Sequence, residues 1–233
     1  MTASRAEICV VACAELFRGD GEILASPMGT VPALGARLAR RTFAPDLLLT
    51  DGVASLVDDD GVVEGSMTYS RVFDTVWSGR RHVIMGASQL DTNGNQNISA
   101  LGPHERPTTM LIGARGAPGN TINHTTSYWI ARHNVRVFVP QVDFVCGVGT
   151  NRGAANLRGV VTNLGVFDFG GDGGRMRILS LHPGVSWNDV VVATGFVVSR
   201  PDHIPETRLP TTGESALLRT VLDPDAKRDL EFQ

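Results

Sequence analysis

Residues 46–56 read DLLLTDGVASL, in which three leucines run into Thr50, Asp51 and Gly52. A short apolar run is typical of a buried strand, and an acidic residue followed by glycine is typical of the turn that ends it. In α/β proteins, ligands bind at the carboxyl ends of parallel strands. The stretch therefore predicts either an ordinary turn or the rim of a binding site.

Short apolar strands alternate with helical patterns on both sides of this stretch. Helices are predicted for residues 6–18, 32–43, 69–80, 187–196 and 213–224. Strands are predicted for residues 22–27, 46–50, 82–87, 109–113, 135–140, 159–169, 175–184 and 196–199. This alternation indicates an α/β fold, with an open, mainly parallel sheet flanked by helices. No repeat or linker divides the sequence, so we expect a single domain over residues 1–233, with residues 57–65 as a loop.

Composition argues against several classes of protein. Hydrophobic residues make up 42% and charged residues 19% of the 233 residues, so a packed core is expected. The net charge of −3 favours neither nucleic acid nor a membrane surface as a partner. Lys227 is the single lysine, which excludes a Walker A phosphate-binding loop.

The three cysteines, Cys9, Cys13 and Cys146, are too few for the disulfide framework of a secreted protein. Cys9 and Cys13 lie four residues apart on a predicted helix without two further ligands nearby. We therefore expect them in the core and expect no metal site. Arg5 and Glu7 interrupt the first apolar run, so no signal peptide is predicted, and the expected location is the cytoplasm.

Two segments rich in glycine and asparagine follow predicted strands. The first contains Gly94, Asn95, Gln96 and Asn97, after strand 82–87. The second follows strand 109–113 and contains Gly113, Arg115, Gly116, Gly119, Asn120, Asn123 and His124. Glycine lets backbone N–H groups approach a ligand closely, and successive amides can hold an oxyanion or a carbonyl-rich ligand. Both segments can equally be tight turns, and His124 is either an acid–base group or a histidine bonded to a neighbouring loop.

Longer stretches of the sequence resemble a known family. The β subunits of class I coenzyme A transferases of the glutaconate type have similar segments in the same order along the chain. The similar stretches here are FAPDLLL (43–49), GASQLDTNGNQNISALG (86–102), RGAPGN (115–120), LHPGVSWNDVVVATGF (181–196) and LLRTVLDP (217–224). The resemblance covers essentially the whole chain. It implies a transferase-type α/β fold, a homologous A subunit as partner in an α2β2 heterotetramer, and a site at the subunit junction.

One departure from the family pattern changes the implied chemistry. Transferases of this family use a glutamate nucleophile after the strand that corresponds to residues 47–50, where it forms a covalent intermediate with CoA. Here Thr50 takes that place, or Gly52 in an alternative register, and no glutamate is available. Asp51 is a carboxylate, but it is displaced by one position and is one methylene shorter. Relatives also often carry an aromatic residue ahead of Gly94, where this chain has Asn93.

The resemblance is strongest to a hydrolytic branch that opens the last steroid ring of a cyclic β-keto CoA thioester. It implies that the catalytic glutamate comes from the A subunit, and that the chain binds a CoA thioester as substrate without a permanent cofactor or metal. The residues expected to contact that substrate are Thr50, Asp51, Gly52, Gly94, Asn95, Gln96, Asn97, Gly116, Gly119 and Asn120. Two alternatives stay open: a transferase for a dicarboxylic acid with Asp51 as nucleophile, or a structural subunit without substrate contacts.

Overall fold

A computed structural model describes residues 3–232 of the chain. The strands in chain order are β1 (Leu24–Pro27), β2 (Leu48–Thr50), β3 (Ser55–Val57), β4 (Val63–Ser66), β5 (Arg81–Met85), β6 (Gln89–Leu90), β7 (Gln96–Asn97), β8 (Ala100–Leu101), β9 (Thr109–Met110), β10 (Thr125–Ile130), β11 (Asn156–Thr162), β12 (Gly165–Gly171) and β13 (Arg175–Leu181). The helices are α1 (Arg5–Glu15), α2 (Thr30–Thr42), α3 (Tyr69–Ser78), α4 (Ala117–Asn123), α5 (Trp187–Ala193) and α6 (Thr212–Leu217).

One nine-stranded sheet organises the chain, in the order β13-β12-β11-β10-β5-β1-β2-β3-β4. The five central strands, β11, β10, β5, β1 and β2, pair in parallel, and an antiparallel pair extends each edge. Two small antiparallel pairs, β6–β7 and β8–β9, lie outside this sheet. The predicted α/β class is confirmed, with the parallel arrangement confined to the centre of the sheet.

Both faces of the central sheet are covered, because alternate residues of a strand point to opposite faces. In β5, Ile84 packs in one hydrophobic cluster with α1 and α2, and Val83 packs in a second cluster with Tyr128 and Phe167. Cys9 lies fully buried in the first cluster, as expected of a core cysteine. The two clusters share one sheet. The single domain over residues 1–233 stays a prediction, and Met1, Thr2 and Gln233 lie outside the described residues.

Several predicted elements differ from the structure. Residues 135–140 form no strand: residues 135–137 form a turn, and Phe138 makes an isolated bridge with Leu90. The sequence pattern did not predict β10, which lies between β11 and β5 in the sheet. Residues 159–169 form most of a hairpin, β11 and β12, instead of one strand, and residues 57–65 belong to the β3–β4 edge hairpin instead of a loop. Residues 196–199 form no strand, and only Ser199 makes an isolated bridge.

The segment around residues 109–124 also differs from its prediction. Only Thr109 and Met110 form a strand, and that strand lies outside the main sheet. Residues 117–123 form α4, with Pro118 in the first turn, where its missing N–H costs no hydrogen bond. Gly119 and Asn120 therefore lie on a helix and not in the predicted turn. None of the described helices is long and apolar enough to cross a membrane.

Candidate active site

A cleft of about 470 Å³ lies at the carboxyl ends of β1, β2 and β5 and is closed on one side by α3 and α4. Parallel strands bring their ends to one edge of the sheet, so segments distant in sequence meet there. Its lining residues are Met28, Gly52, Val53, Tyr69, Val72, Phe73, Val76, Arg81, Met85, Gly86, Ala87, Ser88, Gln96, Ile98, Ile112, Arg115, Gly116, Ala117 and Asn120. No aspartate, glutamate, histidine or cysteine occurs among these described residues.

At the end of β2, Gly52 lines the cleft, and Thr50 lines a smaller neighbouring pocket. Thr50 Oγ1 donates to the carbonyl of Ala25 at 3.0 Å and accepts from the N–H of Gly52 at 3.1 Å. Gly52 has φ +79°, and a Cβ added there would stand 2.2 Å from the carbonyl oxygen of Pro27. Position 52 therefore admits only glycine in this backbone, so no side chain can stand there in place of a glutamate nucleophile.

Asp51 points away from the cleft and lines a separate depression beside α2. Its Oδ1 accepts three backbone N–H groups, those of Val53, Ala54 and Ser55, at 2.8–3.0 Å. Burial acts to raise the pKa of Asp51, but these hydrogen bonds more than offset it and hold the pKa below its usual range. The carboxylate thus caps a turn, which leaves it poorly placed as a nucleophile.

In the first Gly/Asn segment, most side-chain hydrogen bonds stay within or next to the segment, and few of its residues line the cleft. Asp91 Oδ1 accepts the N–H groups of Asn93 and Asn95, and Asp91 Oδ2 accepts Asn95 Nδ2 at 2.9 Å. A Cβ on Gly94 would meet Phe169 at 2.7 Å, so close packing requires glycine there. Neither Asn95 nor Gly94 lines the cleft, although both are buried.

Gln96 is the member of this segment that reaches the cleft. Its Nε2 donates to the carbonyl of Gly86, which follows β5, and its backbone pairs with Cys146 and Gly147. Asn97, in contrast, uses its amide to bond Gln89 and the carbonyl of Ala100. Gln96 thus fixes one wall of the cleft, and Asn97 holds the chain behind that wall.

The second Gly/Asn segment supplies Gly116 and Asn120 to the cleft. Asn120 is buried and uses Nδ2 to contact the sulfur of Met85 at 3.4 Å. Gly119 lies on the same helix but faces α3, where a Cβ would stand 2.4 Å from Val76 Cγ1. Gly119 therefore allows α3 and α4 to pack closely and does not line the cleft.

His124 is buried beside α3, with Nε2 2.8 Å from the carbonyl of Val76. Desolvation, opposed by that hydrogen bond, lowers its pKa. The side chain does not line the cleft. Of the two interpretations in the sequence, the structure favours a histidine that bonds a neighbouring segment.

Arg81 is a cleft residue that the sequence pattern did not single out. It is the first residue of β5, a strand in which all five residues are buried, and its own exposure is 5%. Its Nε donates to Ser26 Oγ at 3.2 Å and its Nη1 to Asn120 Oδ1 at 2.9 Å. The predicted strand begins one residue later and so leaves this arginine in a loop. Arg115, a predicted candidate, lies exposed on the cleft in a left-handed conformation, φ 50°.

A serine, a histidine and an aspartate outside the cleft lining have the spacing of a hydrolytic triad. They are Ser127, His82 and Asp20. Ser127 Oγ lies 2.9 Å from His82 Nε2, and His82 Nδ1 lies 2.6 Å from Asp20 Oδ2. Ser127 and His82 have no exposed surface, and neither lines the cleft. A substrate carbonyl cannot reach this serine, so the cluster is structural.

Apolar side chains on α3 form an exposed stripe at the mouth of the cleft. Tyr69, Phe73 and Trp77 are spaced by four residues, which places them on one helix face. Their exposures are 53%, 37% and 68%, and the rings of Tyr69 and Phe73 pack edge to face. A stripe of this kind is typical of a surface that a partner covers.

Comparisons with known proteins agree with this architecture. The chain is 53% identical to the cholesterol ring-cleaving hydrolase IpdB subunit of Mycobacterium tuberculosis over 247 residues, which cover 99% of each chain. It superposes on the crystal structure of Rhodococcus jostii RHA1 IpdAB with a TM-score of 0.94 and 51% identity, over 100% of each chain. The B subunit of the 3-oxoadipate CoA-transferase from Pseudomonas knackmussii is 27% identical over 92% of each chain. Residues 49–193 match the coenzyme A transferase family model, and the chain belongs to that family.

Proposed function

We propose that the chain is the B subunit of a two-subunit hydrolase that opens a ring of a steroid-derived, cyclic β-keto CoA thioester. The observation that carries this proposal is the rim, where Thr50 stands at the end of β2 and the cleft is lined by no carboxylate. A transferase of this family needs a carboxylate there as the nucleophile that forms the covalent intermediate with CoA. The 53% identity to a subunit named as a cholesterol ring-cleaving hydrolase supports the same interpretation.

The proposed reaction is hydrolysis of a carbon–carbon bond. Water, deprotonated by a base of the partner, adds to the ring ketone. The bond between that carbon and the α carbon then breaks, and the thioester enolate that leaves takes up a proton at carbon. The product is an open-chain CoA thioester with a new carboxylate, heavier than the substrate by one water. This chain supplies apolar walls, and Gln96 and Asn120 hold those walls in position.

An A subunit completes the site in this proposal. IpdAB, a solved structure that the chain resembles, is by its name an assembly of an A and a B subunit. We expect the catalytic glutamate from the corresponding partner of this chain. The exposed stripe of Tyr69, Phe73 and Trp77 at the cleft mouth fits a surface covered by that partner. We also propose a heterotetramer without a permanent cofactor. A cytoplasmic location is consistent with three free, buried cysteines.

Co-expression with the A subunit and assay in H2¹⁸O test the proposal. With 2-oxocyclohexane-1-carboxyl-CoA, ring opening gives a product in which the new carboxylate carries ¹⁸O, and no acceptor acid is needed. A purified, intact complex that leaves this ring closed, or that only exchanges CoA with an added acid, would contradict the proposal.

The transferase alternative is tested at Asp51. Asp51→Asn keeps an oxygen that can accept the N–H groups of Val53, Ala54 and Ser55 but removes the charge. We expect turnover within about threefold of the wild type, since surface changes away from the chemistry cost little. A loss of ~100-fold or more, with a CoA adduct on residue 51 in the wild type, would instead identify a transferase.

A further inference from the structure

The C-terminal segment folds back across the chain and places a carboxylate at the start of α2. Lys227–Phe232 form a short 3₁₀-helix. Oε1 of Glu231 in this helix accepts the N–H of Thr30 at 2.5 Å and that of Val31 at 3.4 Å. Its Oε2 accepts the indole Nε1–H of Trp129, near the end of β10, at 2.5 Å. One side chain therefore joins the end of a central strand to the N-terminus of a helix that is distant in sequence.

The start of α2 receives no cap from its own residues. Gly29 precedes the helix with φ +112° and has no side chain that could accept a hydrogen bond, and the first turn contains no acidic residue. The first N–H groups of a helix lack partners within the helix, and a negative charge near them is favourable. A Cβ on Gly29 would stand 3.2 Å from Glu231 Oε1, so the missing side chain leaves room for the carboxylate.

The corner between β1 and α2, which Glu231 holds, lies directly beside the cleft. Met28 in this corner lines the cleft, and its N–H donates to the carbonyl of Ile84 at 2.9 Å. Gly52, which also lines the cleft, packs against the same corner, since a Cβ there would stand 2.2 Å from the carbonyl oxygen of Pro27. A shift of the corner would therefore move one wall of the cleft and disturb the end of β2.

Other contacts hold the C-terminal segment on both sides of Glu231. Arg228 is buried, and its Nη2 lies 3.3 Å from Glu7 Oε1 on α1. Phe232 packs against the ring of Trp129, with centroids 5.8 Å apart, and joins the first hydrophobic cluster. These contacts fix the backbone around Glu231 and so direct its carboxylate at the corner.

We infer that Glu231 is a positioning residue: through α2 it holds Met28 and Gly52 in the arrangement that turnover requires, without touching the substrate itself. This inference rests on the proposed function for the activity that is affected, but not for the position of Met28. A displacement of about 1 Å in an active site can lower the rate about 100-fold, so the loss of this carboxylate should be visible in turnover.

Kinetics of the assembled A/B complex provide the first test. Glu231→Ala should lower kcat/KM for 2-oxocyclohexane-1-carboxyl-CoA by roughly 10- to 100-fold and should change KM as well as kcat. The change in KM is diagnostic, because a partly unfolded preparation has a lower apparent kcat but an unchanged KM. Glu214→Ala is the matched control, since Glu214 accepts the N–H of Thr211 at the start of α6 and does not line the cleft. It should lower stability and leave KM unchanged.

Methyl NMR measures the position of Met28 without turnover. With ¹³C-methyl methionine in this subunit, the Met28 resonance, assigned through Met28→Leu, should shift in Glu231→Ala. The resonance of Met176, which is buried in the second hydrophobic cluster, should stay in place. If the wild type leaves the keto ring closed but the Met28 resonance shifts, the proposed reaction is wrong and the control of this cleft wall by Glu231 stands.

A rescue pair tests the hydrogen bonds themselves. In Glu231→Gln the NH2 group must face another donor, either Trp129 Nε1 or the N–H of Thr30, and kcat/KM should fall roughly tenfold. Adding Trp129→Phe removes the opposing indole donor, so kcat/KM should return to within about threefold of the value for Trp129→Phe alone.

Two results would overturn the inference. The first is an unchanged KM together with an unmoved Met28 resonance in a folded Glu231→Ala complex, which would leave Glu231 as a purely stabilising cap. The second is a loss in Glu231→Gln that Trp129→Phe does not relieve. The rescue pair decides the matter even if Glu231→Ala fails to assemble.

Discussion

Asp91 is the residue on which the Gly/Asn segment behind the cleft depends most. In Asp91→Asn one side-chain oxygen still accepts the N–H groups of Asn93 and Asn95, as Oδ1 does in the wild type. The other oxygen becomes an NH2 group that faces Asn95 Nδ2, which in the wild type lies 2.9 Å from Asp91 Oδ2. Two donors then face each other in a buried position, and one charge-assisted hydrogen bond is lost.

The magnitude follows from that lost bond. A hydrogen bond to a charged group contributes about 1.5–3 kcal/mol, and a donor left unpaired by the substitution adds about 1 kcal/mol where water partly reaches it. We expect local destabilisation of about 2.5–4 kcal/mol. At 1.36 kcal/mol for each factor of ten, amide exchange in residues 89–97 should become roughly 70- to 900-fold faster.

Hydrogen–deuterium exchange of the assembled complex measures this directly. Asp58→Asn is the matched control, since Asp58 Oδ1 accepts the N–H groups of Asp60 and Val62 in the same turn pattern, on the edge hairpin away from the cleft. It should leave exchange in residues 89–97 unchanged. If Asp91→Asn also leaves that exchange within about threefold of the wild type, the hydrogen-bond reasoning is refuted.

Acid should destabilise the fold through His133 and His182, whose pKa values burial lowers to about 3 and about 4. The unfolded chain takes up these protons below about pH 6.5, so each histidine lowers the free energy of unfolding by about 2 kcal/mol between pH 7.5 and 5. In urea unfolding, the His133→Gln and His182→Gln variants should each lose less stability over this pH range, by about that amount. An unchanged loss would count against the prediction. Gly119→Ala should overpack the α3–α4 contact and destabilise the fold by about 1–3 kcal/mol. Adding Val76→Ala should remove the clash and restore the melting temperature and turnover. Absence of this rescue would contradict the predicted clash. Trp77→Glu should raise the Kd of the two subunits roughly tenfold or more in a sedimentation titration. Undiminished assembly would show that α3 is not part of the interface.

The elements that sequence predicted well are those with a clear period. α1, α2 and α3 carry apolar residues at helical spacing, and β5 is a continuous apolar run after its first residue, so packing and local preference agree. β10 was missed because its strand signal, TTSYWI, directly follows a Gly/Asn-rich segment that turned out to be α4. A glycine and a proline in a helix of seven residues hide its periodicity.

The cleft shows a different limit of sequence reasoning. Gly52, Gln96, Gly116 and Asn120 were predicted and line it, whereas Asn95 and other predicted polar residues do not. An asparagine that bonds its own loop and one that faces a ligand have the same local pattern, because the direction of the amide depends on tertiary packing. Contact of any predicted residue with a substrate remains a prediction.

The absence of acidic, histidine and cysteine side chains from the described cleft lining constrains the kinetics of the assembled enzyme. Groups that gain or lose a proton between about pH 4 and 8 set the limbs of a pH–rate profile. The described wall of this chain brings no such group to the reacting atoms. The limbs should therefore report side chains of the partner or the substrate itself. Substitutions among the uncharged residues of this wall should change the height of the pH–rate profile and leave the pH of its limbs unchanged.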